Sequence, residues 1–333
     1  MNLRRAISIL FIFAILSACT PPMNTLTPEP TFVPTPVPTT EPTPTPAPKE
    51  FRIIGYVAHW DIVERIQFDY LTHINYAFLI PEADGTFADM PNLWKLKKIV
   101  SEAHAANVKV LISVGGWGYD KEFEAMAASP ETRAVFVEGH TRFVHDYDLD
   151  GADIDWEYPG PGADSAQNFT ALMQELDAVL EPKGKLLTAA VAALGEHGEG
   201  ILAEVFDLVD YINVMAYDAS GSDHSPYSYA LDALDYWAGR GLPPEKTVLG
   251  VPFYSRPGEA PYQKIVTEFP EAAYVDEFDY NGSRVYYNGI PTIQKKTQLA
   301  LERASGIMIW ALAHDTVDAT SLLHAIYQAA SGN

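Results

Sequence analysis

Short apolar runs recur along residues 51–333, separated by segments whose apolar positions repeat at helical spacing. The runs are rich in β-branched and aromatic residues and several are nearly continuous, which is typical of strands covered on both faces. Eight runs are predicted to be strands: 51–57, 72–79, 108–114, 151–157, 186–192, 209–216, 247–253 and 306–312. The clearest helical patterns lie at 93–107, 131–147, 166–182 and 292–305.

The alternation of eight strands with helices predicts an α/β fold, a (β/α)8 TIM barrel over residues 51–333. A doubly wound open sheet is the alternative, but no G-x-G-x-x-G follows the first strand. The connection before the last strand is longer than the others, and Asn281-Gly282 predicts a hairpin turn within it. We therefore expect at most a short insertion between strands seven and eight.

The N-terminus has the pattern of a targeting segment. Arg4 and Arg5 precede an apolar stretch, Ala6 to Ala18, that is short for a membrane span and typical of a secretory signal. The chain's only cysteine, Cys19, ends it in "LSAC", which resembles the lipobox of bacterial lipoproteins. That resemblance implies lipidation at Cys19, a membrane anchor and an extracytoplasmic protein, surface-exposed or released. A plain signal peptide with an incidental cysteine is the alternative.

Residues 20–50 hold 11 Pro and 9 Thr, a composition that cannot bury a core and favours extended polyproline II. The predicted domains are therefore a signal peptide over 1–19, a disordered linker over 20–50 and the barrel over 51–333. With a single Cys, no internal disulfide can form.

The net charge of the chain indicates which classes of partner it can bind. The formal net charge is −22, and the charges of the first 50 residues cancel, so the barrel carries all of it. Such a surface repels phosphate backbones, which argues against a nucleic-acid partner, and it suits a neutral or cationic substrate. We expect a monomer.

The stretch "DGADIDWEYPG" at 150–160 interleaves acids with large apolar residues. In a strand, Asp153, Asp155 and Glu157 share one face while Ile154 and Trp156 take the other. Alternate residues lie about 6.6 Å apart, so the three carboxyls form a column inside the barrel.

Three ionised carboxylates in such a column would repel one another, so at least one is expected to hold a proton at neutral pH. Glu157 is last in the column and lies at the C-terminal mouth, where a carboxyl with a raised pKa can act as a general acid. Asp150 breaks the alternation and is assigned a local structural role. A calcium loop is the alternative, but Tyr158 stands where its turn-making glycine belongs.

The pattern D-x-x-D-x-D-x-E at 150–157 resembles the signature of glycoside hydrolase family 18, the chitinases and their relatives. Further resemblances follow in the family's order, at predicted strand ends: "GYVAHW" (55–60), "THINYAF" (72–78), "SVGGW" (113–117), "MAYD" (215–218), "GVPFYSR" (250–256) and "GIMIW" (306–310). The similarity covers essentially all of residues 51–333.

The resemblance implies a retaining, substrate-assisted cleavage of β-1,4 bonds in N-acetylglucosamine glycans, with chitin or chito-oligosaccharides as substrate. Glu157 would protonate the leaving oxygen and then activate water. Asp155 would turn from Asp153 toward Glu157, and Tyr217 would donate its hydroxyl to the acetamido oxygen.

The other matched positions are expected to bind substrate or to support the acids: Tyr56, Ser113, Trp117, Met215, Asp218, Tyr254, Arg256 and Trp310. Trp310 would form the floor beneath the sugar. The spacing of His59, His224 and His314 suggests no metal site, and we predict neither a metal nor another cofactor.

Two further substrates use the same chemistry, namely N-glycan cores and peptidoglycan. A non-catalytic chitin-binding lectin and a structural surface lipoprotein are two non-enzymatic hypotheses, although lectins of this family typically lose the acid, and Glu157 is present. The short insertion implies a shallow groove and argues against deep, processive holding of a chain.

Overall fold

The computed structural model describes residues 51–61 and 66–332. The predictions for the signal peptide, for Cys19 and for the linker lie outside these residues. The strands of the described part are, in chain order, β1 Arg52–Ala58, β2 His73–Leu79, β3 Lys109–Gly115, β4 Gly151–Asp155, β5 Leu186–Ala192, β6 Tyr211–Met215, β7 Thr247–Pro252, β8 Glu277–Tyr280, β9 Ser283–Tyr286 and β10 Gly306–Trp310.

The helices of the described part are α1 Leu93–Ala105, α2 Asp120–Ala127, α3 Pro130–Asp146, α4 Ala163–Leu180, α5 Glu196–Glu199, α6 Val205–Leu208, α7 Tyr227–Gly239, α8 Tyr262–Glu268, α9 Ile290–Arg303 and α10 Leu322–Ser331. The four clearest helical patterns of the sequence correspond to α1, α3, α4 and α9, which confirms those predictions. Within the described ranges, no helix is both long enough and apolar enough to cross a bilayer.

The eight predicted strands close into one parallel barrel, in the order β1-β10-β7-β6-β5-β4-β3-β2. This confirms the predicted (β/α)8 architecture and excludes the alternative of a doubly wound open sheet. The predicted strand 151–157 is two residues too long, because the ladder between β3 and β4 ends at the pair Gly115 and Asp155. Beyond it the N–H of Gly116 donates to the carbonyl of Asp155 at 2.8 Å, and the chain leaves the sheet.

The packing of strand β4 separates its two faces as the alternation predicts. Ile154 and Trp156 are buried between the barrel and its helices. The Trp156 ring stacks on Phe123 of α2 with ring centroids 5.1 Å apart, and it meets Phe169 of α4 edge-on at 5.9 Å. These contacts fix the outward side chains of the strand, so that the alternate residues point into the barrel.

The insertion between β7 and β10 is short. It contains α8 and an antiparallel hairpin, β8–β9, whose turn residues Asn281 and Gly282 have φ values of 51° and 79°, so the predicted hairpin turn is confirmed. A positive φ at both positions suits Asn-Gly, since few other residues adopt it at low cost. The backbones of Arg256 and Tyr286 exchange hydrogen bonds of 2.9 and 2.7 Å, which ties the hairpin to the chain that follows β7.

Candidate active site

Asp153 forms the base of the carboxyl column and is completely buried inside the barrel. Its Oδ2 accepts hydrogen bonds from the hydroxyls of Tyr56 at 2.5 Å and Ser113 at 2.9 Å. Its Oδ1 accepts from the Thr188 hydroxyl at 2.6 Å and the Asn213 amide at 3.1 Å. Donors from four different strands therefore hold this side chain in one orientation.

Tyr56 and Ser113 thus lie where the sequence comparison expects them, beneath the acids. Sequence reasoning missed Thr188 and Asn213. A signal was present, since each is a polar residue inside an otherwise apolar strand and shares the inward alternation of its neighbours. Burial raises the pKa of Asp153, although the four hydrogen bonds that stabilise its charged form oppose the rise.

Asp155 follows on the same face and is also buried. Its Oδ1 has no hydrogen-bond partner among the described residues. Burial, and then the charges of Glu157 and Asp153, raise the pKa of Asp155 well above its usual range. The column therefore favours a bound proton near Asp155, as expected for crowded carboxyls.

Glu157 lies two residues beyond the end of β4, at the C-terminal mouth of the barrel. Burial raises its pKa to about 7; a hydrogen bond with Tyr158 opposes this rise, and the negative charge of Asp218 adds to it. A carboxyl with a pKa near 7 can both give and accept a proton at neutral pH, which is what acid–base catalysis requires.

Asp218, just beyond β6, is held by two residues of the segment that follows β7 and by one residue of its own loop. Its Oδ2 accepts from the Tyr254 hydroxyl at 2.8 Å, and its Oδ1 accepts from Nε of Arg256 at 2.9 Å. Nδ1 of His224 lies 3.2 Å from the same Oδ1. Burial alone would raise the pKa of Asp218, but hydrogen bonds from His224, Arg256 and Tyr254 outweigh it and hold that pKa below its usual range. Sequence reasoning expected Tyr254 and Arg256 near the site and missed His224.

Trp310, at the end of β10, belongs to an aromatic group at the barrel mouth. Its ring stacks with Phe78 at a centroid distance of 5.6 Å and meets Tyr56 edge-on at 5.5 Å. Met215 and Tyr217 pack in the same interior cluster. The structure therefore brings Trp310, Met215 and Tyr217 together in one cluster at the barrel mouth.

Tyr217 is partly buried, and its hydroxyl lies 3.9 Å from the sulfur of Met308. Burial, followed by the charges of its neighbours, raises the pKa of Tyr217 well above its usual range, so its hydroxyl keeps its proton and can donate. Trp117 differs from the other candidates because 78% of it is exposed, so it lies at the surface beyond the end of β3.

Asp150 lies outside the column, and its Oδ2 accepts from the Val110 N–H at 2.7 Å and lies 2.8 Å from Nε2 of His104. It links strand β4 to β3 and α1, which confirms its local structural role. In the described residues, no group of three or more His, Cys, Asp or Glu is arranged to hold a metal ion.

Fold and site together define a (β/α)8 barrel that carries a buried carboxyl column at its C-terminal mouth, with an aromatic group above it. Residues 52–315 match the model of the glycosyl hydrolases family 18. The chain belongs to this family.

Similar proteins of known name or structure are chitinases. Chitinase 1 of Aphanocladium album is 33% identical over 238 residues, which cover 56% of this chain and 55% of that protein. Chitinase A1 of Niallia circulans is 35% identical over 187 residues, 45% of this chain and 27% of that protein. The chain thus spans about half or less of these relatives.

Solved structures match over more of their length. The family 18 chitinase ChiB from the chitin utilization locus of Flavobacterium johnsoniae has a TM-score of 0.75 and 30% identity, covering 86% of this chain and 95% of that one. A chitinase from Bacteroides thetaiotaomicron has a TM-score of 0.77 and 29% identity, covering 85% and 98%.

Proposed function

We propose that this protein hydrolyses β-1,4 bonds in N-acetylglucosamine-containing glycans, with chitin or chito-oligosaccharides as substrate. The observation that carries the proposal is the difference between the two ends of the carboxyl column. Asp153 is immobilised by four donors, whereas Glu157 at the mouth has a pKa raised to about 7. Family membership and the chitinase names of its relatives agree with this chemistry.

In the proposed mechanism, the substrate's own 2-acetamido oxygen attacks the anomeric carbon while Glu157 protonates the leaving oxygen. The glycosidic bond breaks and a cyclic oxazolinium ion forms. Glu157, now a carboxylate, takes a proton from a water molecule that attacks the same carbon. The bond from that carbon to the acetamido oxygen breaks, the acetamido group is restored, and the β anomer is released. Two opposite displacements retain the configuration, as they do in the covalent route of most retaining enzymes, but here the nucleophile belongs to the substrate and not to the enzyme.

The neighbouring side chains support these steps. Asp155, whose Oδ1 is unpartnered in the described part of the chain, turns toward Glu157 and the acetamido N–H and stabilises the cation. The Tyr217 hydroxyl donates to the acetamido oxygen, and Met215 and Asp218 shape the pocket around that group. Trp310 stacks beneath the distorted sugar.

At the rim, Trp117, Tyr254 and Arg256 line the cleft along which the chain lies. The insertion that carries the β8–β9 hairpin is small, so the groove is shallow and holds a short stretch of polymer.

We also propose, from the sequence, that the protein is lipidated at Cys19, displayed outside the cytoplasm of a bacterial cell and active as a monomer. Cys19→Ser in the full chain, expressed in a host that processes lipoproteins, should move the protein from the detergent phase to the aqueous phase. Unchanged partitioning would contradict the anchor, and light scattering of the solubilised protein tests the monomer.

The substrate is tested with the purified full chain on labelled chito-oligosaccharides, N-glycans and peptidoglycan, with Glu157→Gln as the control. We expect release from chito-oligosaccharides that depends on Glu157. Release from one of the other glycans alone would move the substrate to that class, and binding without release would support a lectin. NMR of the first product should show the β anomer, and an α anomer would exclude the substrate-assisted route.

A further inference from the structure

The loop between β6 and α7 carries Asp218 and closes on itself. The N–H of Ala219 donates to the carbonyl of His224 at 3.0 Å, and the Ser225 hydroxyl donates to the carbonyl of Ala216 at 2.8 Å. Asp218 itself has a φ of 58°, a left-handed conformation that few residues with a side chain adopt. The loop therefore holds this residue in a conformation that must be stabilised by its surroundings.

His224 occupies the inside of this loop and is 1% exposed. Its Nε2 lies 3.2 Å from the carbonyl oxygen of Tyr254, which can only accept, so Nε2 carries a hydrogen. Its Nδ1 faces two atoms of Asp218, Oδ1 at 3.2 Å and the backbone N–H at 3.4 Å. In the neutral ring Nδ1 accepts from that N–H, and in the charged ring it donates to the carboxylate. In both protonation states the ring holds Asp218.

A buried lysine on α9 holds the loop in place. Nζ of Lys296, on α9, donates to the carbonyl and to the hydroxyl of Ser225, each at 2.7 Å, and to Oδ1 of Asn288 at 2.7 Å. The Asn288 amide donates to the same Ser225 carbonyl at 2.8 Å. A buried ammonium is costly unless its hydrogens are used, and here all three are. Ser225 is thereby fixed, and its neighbour His224 with it.

Asp218 needs more than one kind of partner to keep a single orientation. Tyr254 and Arg256 both lie on the segment that follows β7, so they hold the carboxylate from one side. His224 contacts it from its own loop and also joins that loop to the carbonyl of Tyr254. The ring therefore links the two segments that meet at Asp218.

We propose that His224 is a positioning residue for the candidate active site: it fixes the carboxylate of Asp218 beside Glu157, while Lys296 and Ser225 hold His224 in place. This inference rests on the proposed function, because Asp218 shapes the acetamido pocket and its charge acts on the acid. A buried histidine that merely stabilises the loop is the competing explanation.

Two amides separate these explanations. The side-chain amide of Asn lies near the position of the ring Nδ1, and that of Gln lies near Nε2. His224→Asn therefore keeps a hydrogen-bonding group toward Asp218, whereas His224→Gln keeps the contact with the carbonyl of Tyr254. His224→Ala removes both contacts and is the reference.

The experiment measures kcat, KM and melting temperature of the full chain with chitotetraose. We expect His224→Ala to lower kcat/KM by about tenfold or more, mainly through kcat, and His224→Asn to return it to within about threefold of wild type. The kcat/KM of His224→Gln should stay near that of His224→Ala, although its melting temperature should be similar to that of His224→Asn. Rescue by Gln and not by Asn, or activity that simply follows melting temperature, would overturn the proposal.

A crystal structure of His224→Ala supplies a readout that does not depend on turnover. We expect the Asp218 carboxylate to leave its contacts with Tyr254 and Arg256, and an unchanged Asp218 would overturn the proposal. This structure is informative even if the wild-type chain cleaves none of the glycans, so failure of the proposed function is seen separately, in the wild-type assay.

Two adjacent lysines on α9 test the anchor, with Lys296 as the anchoring residue and Lys295 as its control. Lys296→Met should lower kcat/KM and the melting temperature, whereas Lys295→Met, at a neighbouring position closer to the solvent, should change neither. If Lys296→Met fails to fold, Ser225→Ala removes only the hydroxyl contacts and should lower kcat/KM in the same direction. Wild-type kcat/KM in a folded Lys296→Met variant would overturn the role of the anchor.

Discussion

Asp153 and Asp218 belong to one site, but their surroundings move their pKa values in opposite directions. Asp153 accepts four hydrogen bonds, all from neutral groups, and is completely buried, so burial prevails and its pKa is raised. Asp218 accepts fewer, but the hydrogen bonds from His224, the charged Arg256 and Tyr254 outweigh its smaller burial, since its side chain is 43% exposed, and its pKa is lowered. A nearby cation and partial hydration thus decide the charge more than the number of hydrogen bonds does.

The difference divides the site into two parts. The column formed by Asp153 and Asp155 of β4 and by Glu157 beyond its end is where a proton can be moved. Asp218 is a fixed anion at its edge. Because the charge of Asp218 raises the pKa of Glu157, the fixed anion also adjusts the acid. Changing one part and measuring the other tests this division.

The largest effect is expected at Glu157. Glu157→Gln keeps the shape of the side chain and removes its exchangeable proton, so kcat should fall by about 10³-fold, within the range for loss of a general acid. The melting temperature should stay close to that of wild type. Steady-state assays on labelled chitotetraose and a thermal melt measure both, and a variant that retains more than about a tenth of wild-type kcat would contradict the role of Glu157 as the acid.

The pH profile links the two parts. Glu157 must be protonated to act as the acid, and its pKa is raised to about 7, so kcat/KM should decrease as the pH rises above that value. In Asp218→Asn the neighbouring charge is gone, the protonated form of Glu157 is less favoured, and the decrease should begin at a lower pH. Profiles of both proteins from acid to alkaline pH test this. A decrease at the same pH in both would mean that Asp218 does not act on the acid.

Much of the architecture was predictable, because it depends on alternation within single strands. The inward Asp153 and outward Trp156 follow from a period of two, and eight such strands with intervening helices predict a closed barrel. Asn281-Gly282 likewise specifies its hairpin through the φ values that only a few residue pairs adopt easily.

The interactions between distant segments were not predictable in this way. His224 meets Asp218 within one loop, and Lys296, on a helix far along the chain, binds the neighbouring Ser225. No periodicity encodes that contact, and an isolated histidine carries no local signal of its partner. The end of β4 at Asp155 was missed for the same reason, since the neighbouring strand decides where the ladder stops.

Stability should show the same contrast between the two aspartates. Because the folded state lowers the pKa of Asp218, its ionised form stabilises the fold fully above the unfolded pKa of about 3.9. This contribution is lost progressively as the pH falls below that value toward the lowered pKa of the folded state. Asp218→Asn should therefore lower the melting temperature at pH 7 and have less effect in acid.

Asp153→Asn is the control for that measurement. Asn places an amide donor among the four donors that face Asp153, so this variant should lower the melting temperature at acid pH as well as at pH 7. Melting curves of wild type and both variants across the acid range give the difference in melting temperature between each variant and wild type. If the difference for Asp218→Asn stays constant down to about pH 3, the charge of Asp218 does not stabilise the fold.

The smallest effect is expected at the rim. Trp117 is 78% exposed, so Trp117→Ala should leave the melting temperature unchanged and raise KM for chitotetraose severalfold, with little change in kcat, because it removes binding that is equal in the ground and transition states. Trp310 packs on Phe78 and Tyr56, so Trp310→Ala should lower kcat and melting temperature together. If Trp117→Ala lowers kcat as much as Trp310→Ala does, then the rim tryptophan contacts the reacting sugar and the division between pocket and rim is wrong.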